Sequence, residues 1–258
     1  MRAEDVVKQL TTPLGSGAAF PLPPYHFMRR EYLNITYRTD PEPLRAIVPE
    51  PLELDEPLVR FELMNMPDVS GLGAYAEAGQ AIPARLGQDR GEYIHAMYVS
   101  SHPAIASGRE MGAYPKKLGS PRLFVDSDTL AGVLDYGSLR VAVATMGYKH
   151  RPLDPEEARR EIGTPMFMLK LMRGYDGRPR IAELTRSQIT HLEILEAWEG
   201  PARLELFAHA LAPLADLPVR EIISATSPFM IMFRPPRIMK TPTISSGRFA
   251  DWNPKNRW

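Results

Sequence analysis

Two adjacent lysines, Lys116 and Lys117, follow directly behind Pro115 in the segment SGREMGAYPKKLGSP, residues 107–121. We interpret the segment as a tight loop, punctuated by Gly108, Gly112, Pro115 and Gly119. Proline fixes its own φ and favours an extended conformation for the residue before it. Successive side chains of an extended chain point to opposite faces, so we expect one lysine to enter a cavity and the other to point away.

A lysine held in this way could act as a nucleophile. Burial in an apolar cavity disfavours the ammonium form and lowers the pKa of an amine, and a neutral lysine attacks a ketone to form a Schiff base. The ordinary alternative is a solvated surface patch. Apolar neighbours favour burial: Ile105, Met111, Tyr114, Leu118 and Leu123.

Schiff-base chemistry also needs groups that move protons, and two glutamates are candidates. Glu62 lies on the polar face of a predicted strand at 58–66, and it shares that face with Arg60, which could simply neutralise it. Glu77 lies in the glycine-rich stretch GLGAYAEAG, which we interpret as a loop. Taken alone, both glutamates are explained more simply as solvated residues.

Arg30 is a further charged candidate. It extends the polar face of a predicted strand at 32–39. An arginine that flanks a strand commonly lies in solvent, but a guanidinium can also hold a carboxylate through two hydrogen bonds. We expect Glu77 to hold Arg30 in place, and the role of Arg29 stays open.

The elements that must position these residues are mostly strands. Alternating apolar and polar residues predict strands at 32–39, 58–66, 93–99, 130–134, 139–145, 166–172, 180–185, 189–197 and 202–207. Short helices are predicted at 4–10, after Asp40-Pro41 and after Asp154-Pro155. Strands joined mostly as hairpins, with few helices, favour an α+β chain built on an antiparallel barrel or sandwich over a doubly wound sheet.

Composition excludes several classes of function. The 258 residues include 31 basic and 31 acidic side chains and no cysteine, so neither a nucleic acid nor an anionic membrane is an expected partner, and thiolate chemistry is excluded. Nucleotide-binding and metalloenzyme motifs are absent from the sequence, and we expect no metal and no cofactor. With no signal peptide and no membrane-length apolar run, a cytoplasmic location is expected.

Five further stretches carry a family likeness. They are FxxREYxN, PEPLELDEPLVRFE, SGLGAYAEAGQAIP, FVDSDTLAGVLDYGSLRVAVATMGYKH and ILEAWEGPARLELF. Together with 107–121 they resemble the acetoacetate decarboxylase family, over roughly residues 5 to 225. The resemblance implies an antiparallel β-barrel with a few short helices. We expect a single domain at 1–240 and an arm or tail at 241–258, which does not match the family pattern.

The resemblance also implies roles for the candidate residues. Lys116 would be the Schiff-base lysine and Lys117 its pKa-tuning neighbour, with Glu62, Glu77 and Arg30 as further active-site residues. That family is itself a standard example of a lysine activated by desolvation or by a neighbouring cation, and the divergence of adjacent side chains ranks desolvation first. Candidates to line the pocket, with a core role as the alternative, are Phe27, Met97 and Tyr114.

The implied activity is cofactor-free decarboxylation of acetoacetate to acetone and carbon dioxide. Lys116 would form a protonated imine with the ketone, and the enamine left by loss of carbon dioxide would be protonated and hydrolysed. Two alternatives stay open, namely a Schiff-base aldolase-dehydratase of the same superfamily and a ligand-binding barrel without catalysis. The expected partners are a small β-keto acid and further copies of the chain, in a large homo-oligomer such as a dodecamer.

Overall fold

The structure is a computed structural model that describes residues 1–6, 8–9, 11–15, 17–189, 191–232 and 239–240. Its helices within these ranges are short: α1 Ala3–Val6, α2 Pro41–Ile47, α3 His102–Gly112 and α4 Pro155–Ile162. Its strands are β1 Phe27–Arg38, β2 Leu58–Val69, β3 Gly73–Leu86, β4 Asp89–Val99, β5 Lys116–Leu118, β6 Ser120–Asp126, β7 Thr129–Tyr136, β8 Leu139–Gly147, β9 Arg151–Pro152, β10 Met166–Arg173, β11 Pro179–Ser187, β12 Leu192–Glu199, β13 Ala202–Leu206, β14 Glu221–Met232 and β15 Met239–Lys240. The expected chain of many strands and few short helices is confirmed.

The strands form two sheets. The larger has the order β15-β11-β10-β4-β3-β2-β1-β14-β12-β9, with β5 paired to β4, and the smaller has the order β13-β8-β7-β6. Most pairings are antiparallel, but β4 pairs in parallel with both β5 and β10. Over the described residues the larger sheet has two free ends, so the predicted barrel is not confirmed.

The two faces of the larger sheet pack against two different apolar clusters. Phe61 and Leu63 of β2 pack into the main core with Leu130 and Leu134 of the smaller sheet. The intervening residues of β2 point to the opposite face, where a second apolar cluster surrounds a cavity. The predicted alternation in 58–66 is therefore confirmed, and it places Glu62 on the cavity side.

Two predictions of loops are wrong. The stretch that contains Glu77 is strand β3, and only its first turn, at Gly71 and Gly73, has the positive φ that favours glycine. Residues 107–112 are not loop either, because they complete helix α3, which begins after Ser101 and ends at the left-handed Ala113. The extended conformation expected of the two lysines is confirmed, since both lie in β5.

Several of the other local predictions are confirmed, and one pair of strands differs from the predicted hairpins. The β7–β8 and β10–β11 hairpins and helices α2 and α4 are found where the sequence indicates them. Strands β12 and β13 do not pair with each other, since β12 joins the larger sheet and β13 the smaller. The predicted tail at 241–258 lies outside the described residues. None of the helices in the described ranges is long and apolar enough to cross a membrane.

Candidate active site

A cavity of about 390 Å³ lies on the second face of the larger sheet, under helix α3. The four charged candidates, Arg30, Glu62, Glu77 and Lys116, all line it. So do the three pocket candidates, Phe27, Met97 and Tyr114. The structure thus brings together residues that come from the five strands β1 to β5 and from the segment between α3 and β5.

Lys116 enters this cavity as a buried amine beside a buried acid. Its Nζ donates a hydrogen bond to Glu77 Oε1 at 2.5 Å, and the two side chains are 9% and 4% exposed. The contact arises because β3 and β5 flank β4, on which Met97 is the register partner of Lys116 and Val99 that of Glu77. The expected contact of Glu77 with Arg30 is replaced by this ion pair with Lys116.

Helix α3 and the Tyr114 ring enclose the rest of the Lys116 side chain. A Cβ built on Gly108 would lie 2.7 Å from Lys116 Cδ and 2.8 Å from Cε, so the helix approaches the lysine where it has no side chain. Lys116 Nζ lies 5.4 Å from the centroid of the Tyr114 ring. Arg109 of the same helix donates to the Lys116 carbonyl at 3.1 Å, so both ends of the lysine are fixed.

Lys117 points the other way. Its Nζ donates to the Leu211 carbonyl and lies 4.8 Å from the centroid of the Tyr136 ring, on the main-core side of the sheet. The side chain is exposed and does not line the cavity. The two adjacent ammonium groups therefore diverge, as the extended chain predicts.

Arg30 is buried in the cavity wall, where its guanidinium contacts a thioether sulfur and an aromatic ring. Its guanidinium donates to Met64 Sδ at 3.1 Å and lies 4.7 Å from the centroid of the Tyr32 ring. Among the described residues no carboxylate forms an ion pair with it, and its Nε has no hydrogen-bond partner. The neighbouring Arg29 is exposed and has a left-handed backbone, φ 55°, at an irregularity of the β1–β14 pairing.

Glu62 belongs to a second buried cluster in the same wall. Arg60 donates from Nε to Glu62 Oε1 at 2.9 Å and also contacts Glu92. Glu161 of α4 completes the cluster, with Oε1 3.8 Å from Arg60 Nη1. Burial raises the pKa of Glu92 to about 7, although Arg60 opposes the shift. Burial likewise raises the pKa of Tyr114.

A bulge in β4 decides which of its residues reach the cavity. Ile94 pairs with Ala81 and Ala96 with Gln80, so one extra residue, His95, is inserted. Ile94 on one side of the bulge and Met97 on the other both face the cavity, whereas simple alternation would have turned Met97 to the core. The bulge is therefore what brings Met97 to this site.

Sequence reasoning did not predict the parts that Arg60, Glu92, Glu161 and Gly108 play in the site. Arg60 was noted only as a possible neutraliser of Glu62, although the shared strand face was a usable signal. Glu92 falls one residue before the predicted strand at 93–99, so no alternation pointed to it. Gly108 was assigned to a loop, and only its contact with Lys116 reveals a reason for a glycine there.

Comparisons with known proteins find one family model and several relatives that match most of the chain. A family model described as "Acetoacetate decarboxylase (ADC)" matches residues 10–230. The chain is 64% identical over 225 residues to the acetoacetate decarboxylase of Streptomyces nogalater, and the aligned residues make up 87% of this chain and 92% of the relative. It is 61% identical over 226 residues to that of Clostridium acetobutylicum, covering 88% and 92%. A solved structure described as an acetoacetate decarboxylase superposes with a TM-score of 0.92 at 56% identity, covering 95% of this chain and all of the other.

Proposed function

The chain belongs to the acetoacetate decarboxylase family, and we propose that it is a carboxy-lyase that converts acetoacetate to acetone and carbon dioxide through a Schiff base on Lys116. The observation that carries the proposal is the buried Lys116–Glu77 pair in a cavity that also holds Arg30, which forms no ion pair with a carboxylate of the described residues. No cofactor takes part, because the protonated imine itself accepts the electrons of the breaking bond.

Glu77 is the acid–base partner of the nucleophile. Transfer of the shared proton from Lys116 Nζ to Glu77 leaves a neutral amine, which attacks the ketone carbon. The carbinolamine then loses its hydroxyl as water, with the proton returned by Glu77, and a protonated imine forms. A carboxylate 2.5 Å from the nitrogen is within the distance that proton transfer requires.

Arg30 receives the substrate carboxylate. Its only hydrogen bond to a described residue is to a thioether, so a bound anion does not have to displace an existing ion pair. A very tight grip would be unproductive, since the carboxylate becomes neutral carbon dioxide and ground-state binding alone does not raise kcat. Cleavage of the C–C bond moves its electron pair into the imine and gives an enamine.

Glu62 returns a proton to the enamine carbon. The overall reaction converts the acetoacetate anion and one proton into two neutral products, so each turnover consumes one proton from solvent. The carboxyl of Glu62 lines the cavity and is fixed by Arg60, which suits a group that must face a particular carbon. Water then hydrolyses the imine, releases acetone and restores Lys116.

Assembly into a homo-oligomer is the further part of this proposal. Large apolar side chains are exposed on β5 and β6, notably Leu118, Phe124 and Val125. Burial of such a patch between copies would stabilise an assembly. Light scattering on the purified protein tests this, and a mass near the 29.0 kDa of one chain would contradict it.

The activity is tested by incubating the purified protein with acetoacetate and measuring carbon dioxide and acetone. We expect release by the wild type, none above background by Lys116→Ala, and borohydride-dependent labelling of Lys116 by acetoacetate. Labelling without carbon dioxide release would instead favour an aldolase-dehydratase, and neither labelling nor release would favour a binding protein.

A further inference from the structure

Three carboxylates surround one guanidinium in the cavity wall. Glu62 and Glu92 both contact the Nη2 nitrogen of Arg60, and Glu161 lies near Nη1. All four side chains are at most 20% exposed, and Glu92, at 7%, is the most buried. Arg60, Glu62 and Glu92 line the cavity that holds Lys116.

The charges of this cluster do not balance. With all three acids ionised, a buried group of one cation and three anions would carry two excess negative charges, which is unfavourable in a poorly solvated site. Glu161 has hydrogen-bond donors other than Arg60, since it accepts from Asn34 at 2.7 Å and from Thr226 at 3.0 Å, whereas Glu62 and Glu92 share the same nitrogen of Arg60. The proton that relieves the excess charge therefore belongs to Glu62 and Glu92.

We propose that Glu62 and Glu92 hold one proton between them across Arg60, and that this proton is the one delivered to the enamine carbon. Arg60 is then a positioning residue, and Glu92 is the store from which Glu62 is recharged. The proposal rests on the Schiff-base decarboxylation proposed above.

Each proton that moves when the enamine is protonated has a named donor and a named acceptor. The enamine C=C pair takes a proton from the carboxylic acid of Glu62, forming a C–H bond and the imine cation and leaving Glu62 as a carboxylate. Once the single shared proton has been delivered, both acids are carboxylates. Glu92 then takes up one proton from solvent, which is the proton consumed per turnover, and passes it to Glu62 for the next delivery. The charged groups that act on Glu92 are Arg60 and Glu62 from β2 and Glu161 from α4, and burial among them raises the pKa of Glu92 to about 7.

Acetone in D₂O separates this proton step from Schiff-base formation. Acetone forms the imine on Lys116, loses a methyl proton to the Glu62 carboxylate to give the enamine, and regains a deuteron from Glu62 after exchange with solvent. Exchange therefore reports proton transfer at carbon, while borohydride trapping reports the imine. The variant is Glu92→Gln, which keeps an acceptor for Arg60 but cannot hold the proton. The matched control is Glu53→Gln, the same change at a surface glutamate paired with Arg85.

We expect Glu92→Gln to trap acetone within about twofold of the wild type, with deuterium exchange and kcat reduced by about 10- to 100-fold. Glu53→Gln should match the wild type in every measurement. Wild-type exchange in Glu92→Gln would overturn the proposal, and so would an equal loss of trapping and exchange, since the residue would then only support the site.

Should Glu92→Gln fail to fold, the wild type alone decides. The ratio of acetone release from acetoacetate to borohydride trapping of acetone should fall as the pH rises through about 7, because the pair then loses the proton that the enamine needs. A constant ratio from pH 5 to 9 would overturn the proposal. A wild type that releases no carbon dioxide from acetoacetate would instead refute the decarboxylase activity itself, so the two failures are distinguishable.

Discussion

A methyl group added at Gly108 would occupy space that the Lys116 side chain now fills. The added carbon would lie 2.7 Å from Cδ and 3.1 Å from Nζ of Lys116. These atoms are the far end of a flexible side chain, so the lysine moves and the helix stays. Because alanine is also the better helix former, by about 1 kcal/mol, the substitution should not destabilise α3.

We therefore predict that Gly108→Ala lowers kcat by about 10- to 100-fold, since a displacement of about 1 Å at a reacting group can have that effect. The thermal midpoint of unfolding should stay unchanged or rise. Gly17→Ala is the control, because, apart from the glycine itself and its two chain neighbours, no atom of the described residues lies within 4 Å of its added carbon. Full activity in Gly108→Ala would show that the close approach does not position the amine.

Lys117 is the charged residue that follows Lys116 in the sequence. Lys117 points to the Leu211 carbonyl and the Tyr136 ring, outside the cavity. Solvent screens its interaction with the buried amine. We expect Lys117→Met to move the acidic limb of the kcat/KM–pH profile by less than about one pH unit. A larger movement in a folded variant would rank the neighbouring cation above desolvation.

Local chain geometry was enough to predict how the two lysines diverge, because alternation along a strand depends only on neighbouring residues. It was not enough to predict the partner of Glu77. That partner follows from the register of β3 on β4 and of β5 on β4, which is set by distant parts of the chain. Arg30 was correctly placed on the polar face of β1, but the absence of a carboxylate partner among the described residues is a property of the assembled sheet.

At the scale of elements, the β3–β4 pair depends on the absence of a side chain at Gly79. A Cβ there would lie 2.5 Å from the Ala96 carbonyl oxygen, at the bulge that turns Met97 into the cavity. A backbone oxygen cannot move aside as a lysine can, so the strands must separate. The bulge and Gly79 therefore work as one feature.

Gly79→Ala is expected to destabilise the fold by about 1–3 kcal/mol, the usual effect of overpacking a well-packed site. Urea unfolding followed by circular dichroism measures the change. Gly147→Ala, on β8, is the control, because the nearest side-chain atom that its added carbon would meet is His150 Cβ, at an ordinary contact distance of 3.4 Å. Equal stability of the two variants would contradict the role given to Gly79.

Glycine and proline explain most of the elements that sequence reasoning missed. Gly71, Gly73 and Gly79 made β3 resemble a loop, yet only the first two have a left-handed backbone. Gly108 likewise made residues 107–112, the last part of α3, resemble a loop. Pro228 lies within β14, between β1 and β12, although proline argues against a central strand. In each case a tertiary contact outweighs the local preference.

At the scale of the molecule, the buried Glu92 and the half-buried His95, both on β4, make the free energy of unfolding depend on pH in opposite directions. Burial raises the pKa of Glu92 from 4.5 to about 7, so its contribution is present below pH 4.5 and is lost as the pH rises through 7. Burial lowers the pKa of His95 from 6.5 to about 4, so its contribution is present above pH 6.5 and is lost as the pH falls through 4. Each shift amounts to on the order of 2 kcal/mol between pH 5 and pH 8.

The contributions of Glu92 and His95 change with pH in opposite directions and by similar amounts. A variant that lacks one of them should therefore show the pH dependence that the other gives to the free energy of unfolding. We predict that the free energy of unfolding of Glu92→Gln rises from pH 5 to pH 8 relative to the wild type, whereas that of His95→Gln falls, each by on the order of 2 kcal/mol. The double variant should return to the shallow wild-type dependence, since all other titrating groups are shared. Urea unfolding at pH 5, 6.5 and 8 measures all four proteins, and parallel curves would mean that neither group is titrated differently by folding.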